Sequence, residues 1–577
     1  MVPDNDMDNA SNASPSGTQQ QVPAYEVLAH DIKAMGVETV FGLMSDDTAL
    51  FVTTLDSMGV HFNGARHENN AISMAEGYAC ATGKLAIAIL GRGPATANCI
   101  HGAVYAQRSG SRVLLIFGEA PTGSGGPNGV GPDTKGFNAM GVLTAAGIKT
   151  FIATDSTTAS RTLANAVAAT AQLGTAALLL PMNVQFGMAD MSAPVTTAAP
   201  KPAAPKPARE ASIDAAVAIL QKSRKPLFIA GLGAHLSGAK EAIQQLADKT
   251  GAALVTSLKG KDMFRGHPFN AGIIGSFSHA AGRRFIDDAD CVIVFGAGLN
   301  QRTTSFGTSI PNNVPLIQVD TVRTNIGRWF HADVAIVANA KVAAEQLLEA
   351  VPSRPAADMP FRTEDMRLKL ADFDLASEFE PAHTPRTVDP RILAIEIDKL
   401  LPPKRNAVYD SGNFLQIVPY IGVTGPGHWK SASDFSSIGM GFGCALGFAR
   451  ARPDETTVLF IGDGSFLMTL GELETVVRED IPMIIILMND CAYGAETHYL
   501  KMRNMPVGKS IFPDIDYAPI AEGFGFQTAT IRTLDDLRQA APLLQNPDGP
   551  VLLDCKITAS VMAPFLLETI EHERRKH

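Results

Sequence analysis

Gly462-Asp463-Gly464-Ser465 and Asn489-Asp490-Cys491-Ala492-Tyr493-Gly494 decide the fold of this chain, with 24 residues between Gly464 and Asn489. Thr456-Thr-Val-Leu-Phe-Ile461 before the first motif is a short apolar run, and Met483-Ile-Ile-Ile-Leu-Met488 before the second is another. Between them Leu470, Leu473, Val476 and Val477 recur at helical spacing. Thr469 followed by Glu472 predicts a capping box at that helix's start. A strand–helix–strand crossover of this kind makes the two strands parallel. Asp463 and Asp490 then stand just past the carboxyl ends of neighbouring strands, where open α/β sheets bind ligands. Two hard oxygen ligands beside a glycine turn and a helix N-terminus suit a divalent cation that holds a diphosphate.

The same rhythm extends in both directions. Thr39–Phe41, Ala86–Leu90 and Val113–Phe117 read as strands in a first block. Pro226–Ala230, Cys291–Phe295 and Leu316–Val319 do so in a second, and Val458–Ile461, Met483–Met488 and Val551–Asp554 in a third. Alternation with amphipathic helices predicts three doubly wound α/β domains with mainly parallel sheets. The expected boundaries are 23–190, 210–352 and 390–565. A Pro/Ala linker at 191–209 contains Ala-Pro-Lys-Pro-Ala-Ala-Pro-Lys-Pro. A second, poorly patterned linker is expected at 353–389. Residues 1–22 read as a disordered polar tail without the apolar core of a secretion signal, and 566–577 as a charged, frayed tail.

The 577 residues carry a net charge of −10 and no long basic run, so nucleic acid and anionic membrane are not expected partners. No apolar run reaches membrane-spanning length. Six cysteines without CxxC spacing read as buried reduced thiols. A cytoplasmic location is the expectation.

Gly-Asp-Gly, 24 residues, then Asn489-Asp490 resembles the signature of thiamine diphosphate (ThDP) enzymes, the group containing acetolactate synthase, pyruvate decarboxylase, benzoylformate decarboxylase and oxalyl-CoA decarboxylase. The three blocks match that family's pyrimidine-binding, central and diphosphate-binding domains in order. Val40-Phe41-Gly42, Arg66-His67-Glu68, Ala75-Glu76-Gly77-Tyr78-Ala79 and Gly93-Pro94 with Asn98 carry the likeness in the first block. The resemblance implies that Glu68 hydrogen-bonds N1′ of the cofactor's aminopyrimidine. There it favours the 4′-imino form that removes the C2 proton of the thiazolium. It implies Asp463, Asp490 and the carbonyl of Ala492 as Mg²⁺ ligands, and Gly464, Ser465, Gly412 and Asn413 as diphosphate contacts; Asp410-Ser-Gly-Asn413 also reads as a plain turn. Ile438, 25 residues before Asp463, matches the bulky residue that bends the cofactor, with the Ser436 carbonyl facing the 4′-amino group and the Ile438 amide facing N3′.

The substrate side departs from relatives. Asp46 falls where pyruvate decarboxylase carries a catalytic aspartate, and Glu496, six residues after Asp490, where it carries a catalytic glutamate. Two such carboxyls near one substrate can share a proton. Phe137-Asn138 stands in place of an adjacent histidine pair, or of the Phe-Gln-Glu of acetolactate synthases. Arg92 is an anion clamp or a structural ion pair; His101 is a pocket residue or a packed one. Glycine turns at Gly231-Leu-Gly233 and Gly296-Ala-Gly298, with Arg302, leave FAD or ADP open in the central domain, with structural support the expectation.

The reaction implied is non-oxidative decarboxylation of a 2-oxo acid through an enamine, giving an aldehyde or a 2-hydroxy ketone. A 2-hydroxyacyl-CoA lyase and an acetolactate synthase-like carboligase are the alternatives within the family. A non-catalytic ThDP-binding regulator is the alternative of another class. The family also implies a homodimer or homotetramer.

Overall fold

The computed structural model describes residues 21–122, 133–191 and 206–576. Three six-stranded sheets, all parallel, form three α/β domains. The first contains β1 (Thr39–Gly42), β2 (His61–Gly64), β3 (Ala86–Leu90), β4 (Val113–Glu119), β5 (Lys149–Ile152) and β6 (Thr175–Pro181), in the order β2-β1-β3-β4-β6-β5. The second contains β7 (Pro226–Ala230), β8 (Ala253–Thr256), β9 (Asn270–Ile273), β10 (Cys291–Phe295), β11 (Leu316–Asp320) and β12 (Val334–Val337), in the order β9-β8-β7-β10-β11-β12. The third contains β13 (Arg405–Tyr409), β14 (Trp429–Ser431), β15 (Thr456–Gly462), β16 (Met483–Asn489), β17 (Gln527–Ile531) and β18 (Val551–Lys556), in the order β14-β13-β15-β16-β18-β17.

The helices that shape the functional site are α1 (Glu68–Thr82), α2 (Ile100–Ser109), α3 (Ala139–Ala145), α4 (Gly441–Ala451), α5 (Asp463–Met468), α6 (Glu472–Arg478), α7 (Gly494–Lys501) and α8 (Pro564–Lys576). The crossover between the two aspartates is present: β15 and β16 pair in parallel from Thr457 opposite Met483 to Gly462 opposite Met488. Its helix is split into α5 and α6, and the capping box is not formed. Thr469 Oγ1 donates back to the Ser465 carbonyl at 3.0 Å and closes α5. The Glu472 carboxylate turns to the first domain, where it accepts from Arg66 N at 3.0 Å and Asn70 Nδ2 at 2.8 Å.

The first and third domains meet through α1 and α4. A side chain at Gly77 would overlap the Cys444 carbonyl, and one at Gly447 the Met74 carbonyl, so the glycines allow the two backbones to touch. A buried charged network ties the same seam. Glu76 is fully buried on α1 and accepts from Tyr105 OH at 2.7 Å and Ser111 Oγ at 2.8 Å. Lys430 Nζ lies 3.0 Å from Glu76 and 2.7 Å from Asp434, and Lys259 of the central domain reaches Asp434 at 2.6 Å. Burial pushes the Asp434 carboxyl up, but Lys430 and Lys259 outweigh it and hold it at about 2. A carboxyl depressed in the folded state stabilises above its unfolded value of roughly 3.9, and that contribution is lost as pH falls through about 2. The shift corresponds to about 2 to 3 kcal/mol. The gap in thermal midpoint between the parent and Asp434→Asn is therefore expected to be full at pH 6 and to shrink steadily below pH 4. A gap independent of pH would show that the network does not act through this charge.

Three further expectations are corrected. Residues 566–576 are no frayed tail: α8 extends to Lys576, buries Ile570, places Glu568 against Ser276, and receives Arg302 at Thr569 Oγ1, 2.9 Å, while residue 577 lies outside the described residues. Its position follows from an apolar face that the central domain covers. Gln21 and Val22, assigned to the polar tail, form a short strand paired antiparallel with Ala189–Asp190, while 1–20 lie outside the described residues. The stretch 353–389 carries a helix, Glu364–Ala371, and Phe361 and Met366 enter the central-domain core. Of the Pro/Ala linker, 192–205 lie outside the described residues. All six cysteines are free; four are buried, but Cys80 is exposed and Cys491 half-buried.

Candidate active site

β15 and β16 end side by side, and their apolar, doubly buried runs give the following turns no freedom to move apart. Asp463 begins α5 and is buried, and Asp490 directly follows β16. Burial pushes the Asp490 carboxyl up to about 8, and the Asp463 charge beside it adds to the shift. Burial likewise pushes Asp463 to about 6, with Asp554 adding to it. Two acidic side chains so close and so buried suit a divalent cation.

The turn after Asp490 is held by two main-chain hydrogen bonds. Cys491 is in the left-handed region at φ 56°. Tyr493 N donates to Ser510 O at 2.9 Å and Phe512 N to Cys491 O at 2.7 Å, so these bonds use the groups on either side of Ala492 and spare the Ala492 carbonyl. Gly464 and Gly494 have no room for a side chain: one would meet the Tyr493 ring, the other the Asp490 carboxylate. Among the described residues no three His, Cys, Asp or Glu side chains gather for a metal.

Asp410 has a larger role than a plain turn. It is fully buried and accepts from Ser411 N at 2.6 Å, Gly439 N at 3.1 Å and Gly441 N at 2.8 Å. Burial still pushes it up to about 6 against those hydrogen bonds and that of Ser465. It anchors the downstream side of the turn bearing Ser436 and Ile438. Ser436 is exposed at φ 54°, and Ile438 is half-exposed rather than in the core, as suits a side chain that supports a ligand. Gly412 precedes Asn413, whose side chain is committed to the C-terminal segment: Nδ2 donates to Val561 O at 2.8 Å and Oδ1 accepts from Ala563 N at 2.9 Å.

At the other end, Glu68 is the first residue of α1 and is buried at the domain seam. Asn98 Nδ2 donates to its carboxylate at 3.3 Å, and His67 Nδ1 lies 3.9 Å away. The first domain thus carries a buried carboxylate at Glu68, and the third an adjacent aspartate pair in glycine turns at the ends of neighbouring strands. Models described as the thiamine pyrophosphate enzyme N-terminal TPP binding domain, central domain and C-terminal TPP binding domain match residues 23–140, 213–347 and 410–555.

The chain belongs to the thiamine pyrophosphate enzyme family. It is 25% identical over 537 residues to the acetolactate synthase isozyme 2 large subunit of Escherichia coli K12, covering 92% of this chain and 94% of the relative. It is 26% identical over 563 residues to a probable acetolactate synthase large subunit of Methanocaldococcus jannaschii, covering 94% and 93%. To sulfoacetaldehyde acetyltransferase of Castellaniella defragrans it is 24% identical over 595 residues, covering 97% of each chain. The protein is a ThDP-dependent enzyme of this group.

Within this ThDP enzyme the substrate-side residues spread out. Asp46 is 76% exposed at its side chain and pairs with Lys135, which holds its carboxyl below the usual range, the reverse of a shared-proton acid. Its neighbour Asp47 is the buried one, accepting from Arg92 N at 2.6 Å. Arg92 pairs with Asp133 at 2.9 Å, the structural ion pair rather than a free clamp. Asn138 caps α3, accepting from Gly141 N at 2.9 Å, with Phe137 partly exposed beside it. Glu496 lies exposed on the first turn of α7. His101 Nε2 is 2.6 Å from Ser437 Oγ. In the central domain Gly231 N donates to Phe295 O and Gly233 N to Gly296 O, so the glycine turns pack on each other, and Arg302 is committed to α8.

Two residues went unnoticed in the sequence. Lys556 Nζ, almost fully buried, lies 3.0 Å from the buried Asp554, whose other oxygen accepts from Asn489 at 2.9 Å. They brace the floor of the cation cradle. The signal was there: Asp-Cys-Lys in a strand otherwise apolar enough to be central.

Proposed function

We propose that this ThDP enzyme requires Mg²⁺ and acts on 2-oxo acids, cleaving the bond beside the carbonyl without net oxidation and passing the remaining fragment to a proton or to a second carbonyl. The observation that carries this reading is the Asp463–Asp490 pair, set in glycine turns at the carboxyl ends of the paired strands β15 and β16, together with Glu68 buried at the start of α1. Bound ThDP supplies a nucleophilic carbon and an electron sink. Asp463, Asp490 and the Ala492 carbonyl hold the metal, and through it the diphosphate, with Gly464 and Ser465 at the helix start. Glu68 holds a proton at the aminopyrimidine, and the Ser436 carbonyl, Ile438 amide and Ile438 side chain fix the ring. Glu496, at the start of α7 just beyond the cradle, is the candidate for proton transfer to the product. The ion-paired Asp46 is a weaker candidate for that task.

The relatives named acetolactate synthase and sulfoacetaldehyde acetyltransferase favour transfer to an acceptor over release of an aldehyde or acyl-CoA. The active unit is a homodimer or homotetramer. Leu467, Met468, Tyr493 and Ile511 stand exposed around the cradle, an apolar rim that a second copy covers. A panel of 2-oxo acids, each alone and with an aldehyde or second 2-oxo acid as acceptor, tests the function. CO₂ release with a 2-hydroxy ketone or other transfer product is expected. Turnover of 2-hydroxyacyl-CoAs alone would move the assignment to that lyase, and a stable, active monomer in light scattering would contradict the assembly.

A further inference from the structure

Helix α2 of the first domain grips the turn that carries Ser436 and Ile438. His101 Nε2 lies 2.6 Å from Ser437 Oγ, and its ring centre 5.9 Å from that of Phe435. The Arg108 guanidinium lies 4.7 Å from the Phe435 ring centre. Ser109 Oγ donates to the Asp434 carboxylate at 3.0 Å. His101, Arg108 and Ser109 fall seven and eight residues apart, on one helical face. Three side chains of one helix therefore hold three of the four residues 434–437. On the downstream side Asp410 holds Gly439 and Gly441. Between these anchors Ser436 keeps a left-handed backbone, a state that persists in a non-glycine residue when its surroundings over-determine it.

We propose that α2 is a positioning element of the cofactor site: His101 and Ser109 hold the Ser436–Ile438 turn in the shape that presents its main-chain groups to the aminopyrimidine. This rests on the ThDP reading of that turn. His101 acts through Ser437 and is a positioning residue, not a substrate ligand. The first domain thereby contributes to cofactor affinity at a turn of the third domain of its own chain, apart from the carboxylate of Glu68. The competing role for the same contacts is adhesion between the two domains, which would affect stability and leave cofactor affinity alone.

Calorimetric titration of ThDP at saturating Mg²⁺ into the full chain, His101→Ala, Ser437→Ala and the double variant separates the two. Each single change is expected to raise the dissociation constant about fivefold, the scale of one lost hydrogen bond. The double variant should match the singles, because both remove one contact. His101→Gln, which keeps a hydrogen-bonding group, should recover most of the loss. In the cofactor-free protein, amide exchange of residues 434–440 should be faster in His101→Ala than in the parent. Unchanged ThDP affinity with a lower melting temperature, or additive effects in the double variant, would overturn the proposal. Ser437→Ala alters an accessible turn and keeps the test open if the His101 variants fold poorly. A parent protein that takes up no ThDP would overturn the cofactor reading itself, and this proposal with it.

Discussion

A Glu68→Gln chain folds, takes up ThDP with Mg²⁺, and turns over at least about a hundredfold more slowly than the parent, the scale of a lost acid–base group. Glutamine fills the same volume at the start of α1 and still accepts from Asn98, which now reaches the Glu68 carboxylate at 3.3 Å. The fold and the seam with α4 are therefore kept. What is lost is a carboxylate that shares a proton, and only the reaction needs that. The measurement pairs calorimetric ThDP binding with single-turnover rates on the best 2-oxo acid. Unchanged turnover with cofactor bound would remove Glu68 from the chemistry and revive a non-catalytic, ThDP-binding role for the chain.

Asp463→Asn and Asp490→Asn are expected to act in the opposite sense on binding and on stability. Each removes an anionic ligand, so Mg²⁺-dependent ThDP affinity should fall by at least about a hundredfold. Each also relieves two carboxyls that burial and mutual repulsion hold far above their ordinary range. The metal-free protein should then melt at a higher temperature than the parent at pH 7.5. Differential scanning calorimetry with and without Mg²⁺ and ThDP reads both effects. A variant that is destabilised without metal and keeps its Mg²⁺ dependence would show that the pair is structural and the cation lies elsewhere. Stability spent on binding in this way is the usual pattern at functional sites.

The strands that the sequence revealed are the interior ones. β3, β4, β7, β10, β15 and β16 are buried on both faces and read as unbroken apolar runs. The strands not anticipated in the two cofactor-binding domains include the interior, apolar β6 and four at sheet edges: β2 (His-Phe-Asn-Gly), β5 (Lys-Thr-Phe-Ile), β14 (Trp-Lys-Ser) and β17 (Gln-Thr-Ala-Thr-Ile). An edge strand has one hydrogen-bonding partner and an exposed flank, so its composition is free to be polar. The Asp463–Asp490 pair was legible for the converse reason: both aspartates sit in glycine turns directly after interior strands. Glu76, Lys430 and Asp434 were not, because they come together across two domains, and no local pattern records that meeting. Asn138 illustrates a local rule overlooked, since an asparagine before Ala-Met-Gly is a helix cap first. The Thr469–Glu472 box shows the reverse, a local rule overridden when a neighbouring domain offered Glu472 better partners.

The first and third sheets share one strand order, and α1 and α4 each follow the second strand of their sheet. The chain thus contains two units of one strand order, set helix to helix where α1 meets α4. Glu68 and the Ser436–Ile438 turn occupy equivalent loops of the two units. The same architectural position is thus filled twice in one chain, once by an acidic side chain and once by a left-handed turn.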